Sequence, residues 1–225
     1  MVQLNVNEKS YQIPERLTLE QWKQVAKWSF EEPTHWPRII SAVTGADHRE
    51  LELGQDEAVA LAVAFIIQLM NTRKEYQIKD FNELTFGEFV DLDVWLTMGI
   101  DKHIDDVVKL LGATEWADEA MWLIDKYAQF RLHTYRQYRV LFGLDEHMDY
   151  AENDPTFDPL KVARGWYRII VELANDNLLD IDKVTDEPLK KALNFMAFQK
   201  ERQIEANLEQ MKRQRQKQLW HTTIL

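Results

Sequence analysis

Ala58-Val59-Ala60-Leu61-Ala62-Val63-Ala64-Phe65-Ile66-Ile67-Gln68-Leu69-Met70 is the most apolar run in the chain, and its length decides the kind of fold. A helix that crosses a bilayer needs roughly 20 apolar residues. Thirteen fall short, so the run predicts a buried core helix over Gln55–Asn71 of a soluble protein. The signals on either side are helical as well. Upstream, Thr18 and Gln21 form a capping-box pattern that predicts a helix over Leu19–Phe30, with Leu19, Trp22, Val25 and Ala26 at helical spacing. Pro33 breaks it. Trp36-Pro37 opens a second helix that runs to Thr44, and Gly45 ends it.

Downstream, Thr85-Phe86-Gly87-Glu88 is a second capping box and predicts a helix through Leu96. Ile100–Leu111 carries Ile104, Val107, Val108 and Leu111 on one face, and Gly112 closes it. Glu115–Phe142 reads as one long helix. Asp158-Pro159 starts another that reaches Ala174, Asn175–Lys183 reads as a polar connection, and Pro188 opens a final helix over Leu189–Leu219. Only the N-terminus differs. Val2, Leu4 and Val6 alternate with polar residues, Asn7-Glu8-Lys9 is a turn, and Ser10–Ile13 returns as a second strand that Pro14 ends. The expected fold is therefore mainly α, a helical-bundle-like body with a short N-terminal β-hairpin and a long C-terminal helix. Three segments follow: a hairpin over residues 1–14, a helical body over 15–188, and a basic helix and tail over 189–225. The acidic loop 143–159 is a candidate subdivision of the body. No repeat at a fixed period is apparent.

The 225 residues include 27 Lys and Arg against 38 Asp and Glu, for a net charge of -11, and no cysteine. The acidic balance argues against nucleic acid and against an anionic membrane surface as partners. The lack of cysteine removes disulfides, thiol catalysis and thiolate metal sites. No basic region precedes an apolar run at the N-terminus, so no secretory leader is expected.

Charge is uneven along the chain. Residues 189–225 hold eight cations and three glutamates, a net +5, which leaves -16 for the rest. On that helix Ile204, Leu208 and Met211 have the four-then-three spacing of a coiled-coil seam, and Lys212, Arg213, Arg215 and Lys217 follow with Trp220 just beyond. Three readings stay open. The segment is a solvated helix end with its cations at the negative end of the dipole, or it docks on an acidic surface of its own body or of another copy, or it is a partner-binding helix. Trp220 is the interface candidate among eight tryptophans, because it follows a stretch with no apolar residue.

No catalytic set is legible. His103 and Asp106 share a helix face but lack the further ligands of a zinc site. Asp145, Glu146, Asp149, Glu152 and Asp154 are dense, yet without the glycine and terminal glutamate of a calcium loop. Glycine motifs for phosphate and the nucleophile elbow are absent. The expectation is no catalytic residue, no metal and no cofactor.

Two segments resemble a known group. Ile13-Pro14-Glu15-Arg16-Leu17-Thr18-Leu19-Glu20-Gln21-Trp22, entered from the hairpin, resembles the start of small tail-assembly proteins of tailed bacteriophages. Leu84-Thr85-Phe86-Gly87-Glu88-Phe89-Val90-Asp91-Leu92-Asp93 resembles a segment of phage structural-module proteins. The nearest named group is the baseplate-hub or tail assembly chaperones of T4-like phages. The resemblance covers about twenty residues. It implies a non-enzymatic protein that assists tail or baseplate assembly by binding other virion proteins, in the host cytoplasm and as a candidate virion component, with homo-oligomers as a further option. The residues expected to carry binding are Ile204, Leu208, Met211, Lys212, Arg213, Arg215, Lys217 and Trp220, together with the hairpin Val2–Ile13. A helical regulatory or adaptor protein outside the virion and a metal-binding helical-bundle enzyme are the alternatives.

Overall fold

The computed structural model describes residues 2–6, 8–52, 56–71, 74, 76–77, 80–143 and 158–223, with the side chains of the last helix placed through residue 216. In chain order the elements are strands β1 (Val2–Val6) and β2 (Lys9–Ile13), then helices α1 (Leu19–Val25), α2 (Trp36–Thr44), α3 (His48–Glu52), α4 (Asp56–Asn71), α5 (Phe86–Met98), α6 (Ile104–Leu111), α7 (Ala117–Gln137), α8 (Arg139–Phe142), α9 (Pro159–Leu173), α10 (Ile181–Thr185) and α11 (Leu189–Thr223). The mainly α fold, the N-terminal hairpin and the long C-terminal helix are as the sequence predicts. Two compact units share the chain. Unit 1 is Met1–Lys79 with Val108–Lys126, and unit 2 is Asp80–Val107 with Tyr127–Leu225.

In unit 1 the hairpin is antiparallel, with Val2 opposite Ile13, Leu4 opposite Tyr11 and Val6 opposite Lys9. The turn is tighter than expected, so β2 begins at Lys9 instead of Ser10. Glu8 takes a left-handed φ of 64° to make it. Leu4, Val6 and Ile13 sit in one buried cluster with Val25 of α1, Ile39, Ile40 and Val43 of α2, and Val59, Val63 and Ile66 of α4. The apolar run is thus a core helix with one inner face: Leu61, on the other side, is 67 % exposed. No helix among the described residues is long and apolar enough to cross a membrane.

Helix α1 ends at Val25, five residues before the predicted Phe30. The reason lies in α2 and the turn before it. The Ser29 N–H donates to His35 Nδ1 at 3.2 Å, and Trp28 is held between the His35 ring and the Arg38 guanidinium, which lies 4.6 Å from the indole centre. These contacts replace the next helical turn.

Unit 2 is built on α5, whose Phe86, Phe89 and Leu92 are fully buried. Phe89 meets Tyr127, Tyr135 and Trp166 edge-on, with ring centres 6.1 to 6.4 Å away. The helix predicted to run unbroken to Phe142 is interrupted at Tyr138 (φ -105°, ψ 48°). That residue's hydroxyl donates to Asn194 Oδ1 on α11 at 2.8 Å, so a tertiary bond accompanies the break. The stretch read as a polar connection, Asn175–Lys183, contains a helical turn and most of α10. Asn175 and Asp176 adopt left-handed φ, and Asn177 caps the turn by accepting from the Leu179 N–H.

Each unit is closed by the same local device. In unit 1 the Leu19 N–H donates to Glu115 O (2.8 Å) and the Ala117 N–H to Leu17 O (2.9 Å), an antiparallel bridge of Thr18 with Trp116. In unit 2 the Phe86 N–H donates to Glu187 O (2.8 Å) and the Leu189 N–H to Leu84 O (3.0 Å), a bridge of Thr85 with Pro188. Thr18 and Thr85 are also the N-caps of α1 and α5, both with complete capping boxes. The sequence has no repeat at a fixed period, but the described residues contain this bridge-and-cap motif twice.

Two helical glycines, Gly87 in the first turn of α5 and Gly165 in the middle of α9, behave oppositely. A Cβ on Gly87 would lie 2.8 Å from Thr185 Cβ, where α10 crosses α5, whereas a Cβ on Gly165 in α9 would meet nothing within 4 Å. Gly87→Ala should therefore destabilise unit 2 by about 1–3 kcal/mol through overpacking, despite the better helix propensity. Gly165→Ala should stabilise it by about 0.5–1 kcal/mol. Urea unfolding of the two variants checks both signs.

Candidate functional site

The residues expected to bind a partner lie on α11, which divides into a packed and a solvated half. Leu189 and Leu193 are buried, and the helix start is held by the Thr85–Pro188 bridge. From Gln199 to Gln216 every residue is exposed. Ile204, Leu208 and Met211 fall on one stripe and are 41 %, 52 % and 56 % exposed. Lys212, Arg213 and Arg215 follow on the same solvated arm, with Arg213 3.7 Å from Glu209 one turn back. The side chains of Lys217 and Trp220 lie outside the described residues, as does the acidic cluster of residues 145–154. The hairpin, the other expected contact element, has its inner face spent on the core of unit 1.

Beside the packed half of α11 runs a groove of about 840 Å³ between α8, α9 and α11. Leu141, Phe142, Ile169, Leu173, Phe195 and Met196 supply apolar walls, with Glu172 and Lys200 charged beside them and Gly165 in the α9 wall. Phe195 is 52 % exposed. The volume falls in the range of ordinary binding clefts. Sequence reasoning missed this groove, because its walls come from three helices whose order in space no local pattern records.

Asp93, fully buried on α5, lies at the groove floor. Its Oδ1 accepts from Arg131 Nε and the Tyr135 hydroxyl, and its Oδ2 accepts from Trp166 Nε1 at 2.6 Å. Arg131 also reaches Thr97 Oγ1 at 3.4 Å. One carboxylate thus ties α5, α7 and α9 together. Burial pulls the Arg131 guanidinium down, but Asp93 and the neighbouring tyrosines outweigh that and hold it protonated. Burial, reinforced by the Asp93 charge, pushes the Tyr127 and Tyr135 hydroxyls far above the usual tyrosine range. With both carboxylate oxygens occupied by donors, the arrangement positions helices. A signal was present in the sequence: Phe86, Phe89 and Asp93 share the inner face of α5, so an acid stands at core spacing.

Unit 1 has a smaller counterpart. Asp118 pairs with Arg16 at 2.7 Å and accepts from the Tyr76 hydroxyl, while the Arg16 guanidinium lies 4.7 Å from the Trp116 ring centre. Burial and the hydrogen bond to Asp118 push Tyr76 up to about 12. Arg16 and Asp118 flank the Thr18–Trp116 bridge and brace it.

His103, a weighed ligand candidate, stacks on Trp95 with ring centres 6.2 Å apart. Among the described residues no group of three or more His, Asp or Glu is placed to hold a metal ion. No protein-family model, curated protein or solved structure matches the chain.

Proposed function

We propose that the protein is a non-enzymatic bacteriophage assembly protein, a tail or baseplate chaperone or structural component, that acts by binding other virion proteins in the host cytoplasm. The observation that carries this reading is the second half of α11, a helical arm whose Ile204, Leu208 and Met211 stripe stands exposed. Packing of an amphipathic face is what normally stabilises a helix in a protein, and the stripe of this arm is exposed. The two segments that resemble phage tail-assembly proteins add support, because both form the bridge-and-cap motifs that close the units. The saturated hydrogen bonding of Asp93 favours a structural over a catalytic role for the most deeply buried carboxylate.

Ending the chain before Glu201 should leave helical content and the unfolding midpoint close to those of the full chain, since the residues removed are exposed. The same truncation should abolish co-purification of tail or baseplate proteins from infected cells, read by mass spectrometry of the tagged protein. Full-strength capture by the truncated chain would sink the assignment of the arm. Capture of host proteins alone would favour the adaptor reading.

A further inference from the structure

We infer that the Ile204–Met211 stripe of α11 pairs with the same stripe of a second copy, the two arms running antiparallel. The inference rests on the reading of the arm as a contact element and names one occupant for it. Along one face of α11, buried Leu193 and partly buried Ala197 are followed by exposed Ile204, Leu208 and Met211. Steps of three, four and seven residues keep side chains on one side of a helix. The face that packs on unit 2 at the start of the helix therefore runs on into solvent, and an apolar stripe of that kind is a helix-packing surface.

The charges beside the stripe select the occupant and its direction. Set Leu208 of each copy against Met211 of the other. The overlap then spans residues 203–216, all of them exposed. On one flank Glu205 falls beside the second copy's Lys212, and the two-fold axis repeats the pair. On the other flank Asn207 falls beside Gln214, so no like charges meet there. Arg215 lies opposite Ile204, where its aliphatic stem covers the isoleucine and its guanidinium reaches water.

The alternatives fit less well. Moving the register so that Leu208 faces Ile204 would set Glu205 beside Glu205. A parallel pair gains Lys200 beside Glu205, but it stacks Glu201 on Glu201 and Arg215 on Arg215 at the seam. Glu205 and Lys212 are also at hand for the antiparallel contact. Among the described residues of the arm the ion pair is Arg213 with Glu209, on the side away from the stripe. A second copy supplies the same stripe and the same two charges in reverse order, which is what the flanks require.

Three apolar side chains from each arm make a small contact, so the pairing depends on concentration. Sedimentation of the full chain should give the 26.7 kDa chain mass when dilute and climb toward twice that mass as the concentration nears about 1 mM. Leu208→Asp should raise the dimer Kd by roughly 100-fold, because it acts twice across the axis. Glu205→Lys and Lys212→Glu should each raise it by roughly 10-fold, since each turns two attractive pairs into repulsive ones. Mixed in equal amounts, the two charge variants should regain the wild-type affinity, because each mixed dimer again holds two opposite-charge pairs. Only the antiparallel pairing brings positions 205 and 212 together, so the recovery reports direction as well as contact. The substituted positions are exposed, and the unfolding midpoint of the dilute protein should not move. A wild type that keeps the single-chain mass throughout, a dimer that survives removal of the residues from Glu201 onward, or a charge mixture that recovers nothing would each overturn the inference. A monomeric wild type that loses virion proteins with its arm would overturn it while leaving the assembly reading standing. A dimeric wild type whose truncated form still captures virion proteins would support the pairing and sink the arm's role in assembly.

Discussion

Asp93→Ala should destabilise unit 2 by about 3–5 kcal/mol, the cost expected when one partner of a buried ion pair is removed. The carboxylate is fully buried, and its loss strands the Arg131 guanidinium, the Tyr135 hydroxyl and the Trp166 N–H at once. Arg131→Met should cost less, because Tyr135 and Trp166 still donate to the carboxylate. The double variant Asp93→Leu with Arg131→Met should recover a large part of the single-variant loss, since a well-packed apolar pair can replace a buried ionic one at little cost. Urea melts of the four proteins form the cycle. A loss under about 1 kcal/mol for Asp93→Ala would mean that water reaches the site and that the three helices are held by aromatic packing alone.

Alkaline unfolding should be the second large effect. In the folded chain Tyr127 and Tyr135 keep their protons far above the usual tyrosine range, whereas in the unfolded chain they ionise near pH 10. Above that pH the folded state binds more protons than the unfolded one, so stability falls as pH rises. The contribution is fully present below about pH 10 and is lost above it at about 1.4 kcal/mol per tyrosine per pH unit, or about 3 kcal/mol for the pair. Tyrosinate absorbance and circular dichroism should change together in one cooperative step. Tyr127→Phe should move that step to higher pH at small cost near neutrality, because the Tyr127 hydroxyl makes only a long 3.4 Å bond to Phe89 O. A smooth tyrosine titration with no structural change would show that the two hydroxyls are reached by solvent.

What was legible in the sequence was local chemistry. Both capping boxes form with both halves of their hydrogen bonding, and Gly45, Gly112 and Gly143 close helices with left-handed φ. Such features depend on residues within one turn of each other. The end of α1 and the break at Tyr138 differ from the expected helices because residues beyond one turn take part: His35 takes the Ser29 N–H, and Asn194 takes the Tyr138 hydroxyl. The site divides the same way. The arm was visible, since three apolar residues among charges suffice to mark it. Asp93 stands at core spacing on α5, but the partners that hold it lie 38 to 73 residues away.

The paired bridges also set a timetable for synthesis. Thr18 finds Trp116 and Thr85 finds Pro188 only after about a hundred further residues have been made. At roughly 5–20 residues per second, each half-motif waits on the order of 5–20 s at the ribosome. The strands of time overlap, because the opening segment of unit 2 emerges before the closing segment of unit 1. Until Tyr127, Tyr135 and Trp166 have been made, Phe89 stands on a nascent helix without the rings it packs against. Nascent-chain yield should therefore respond more to translation speed and to chaperone supply between codons 86 and 188 than to the stability of the finished protein.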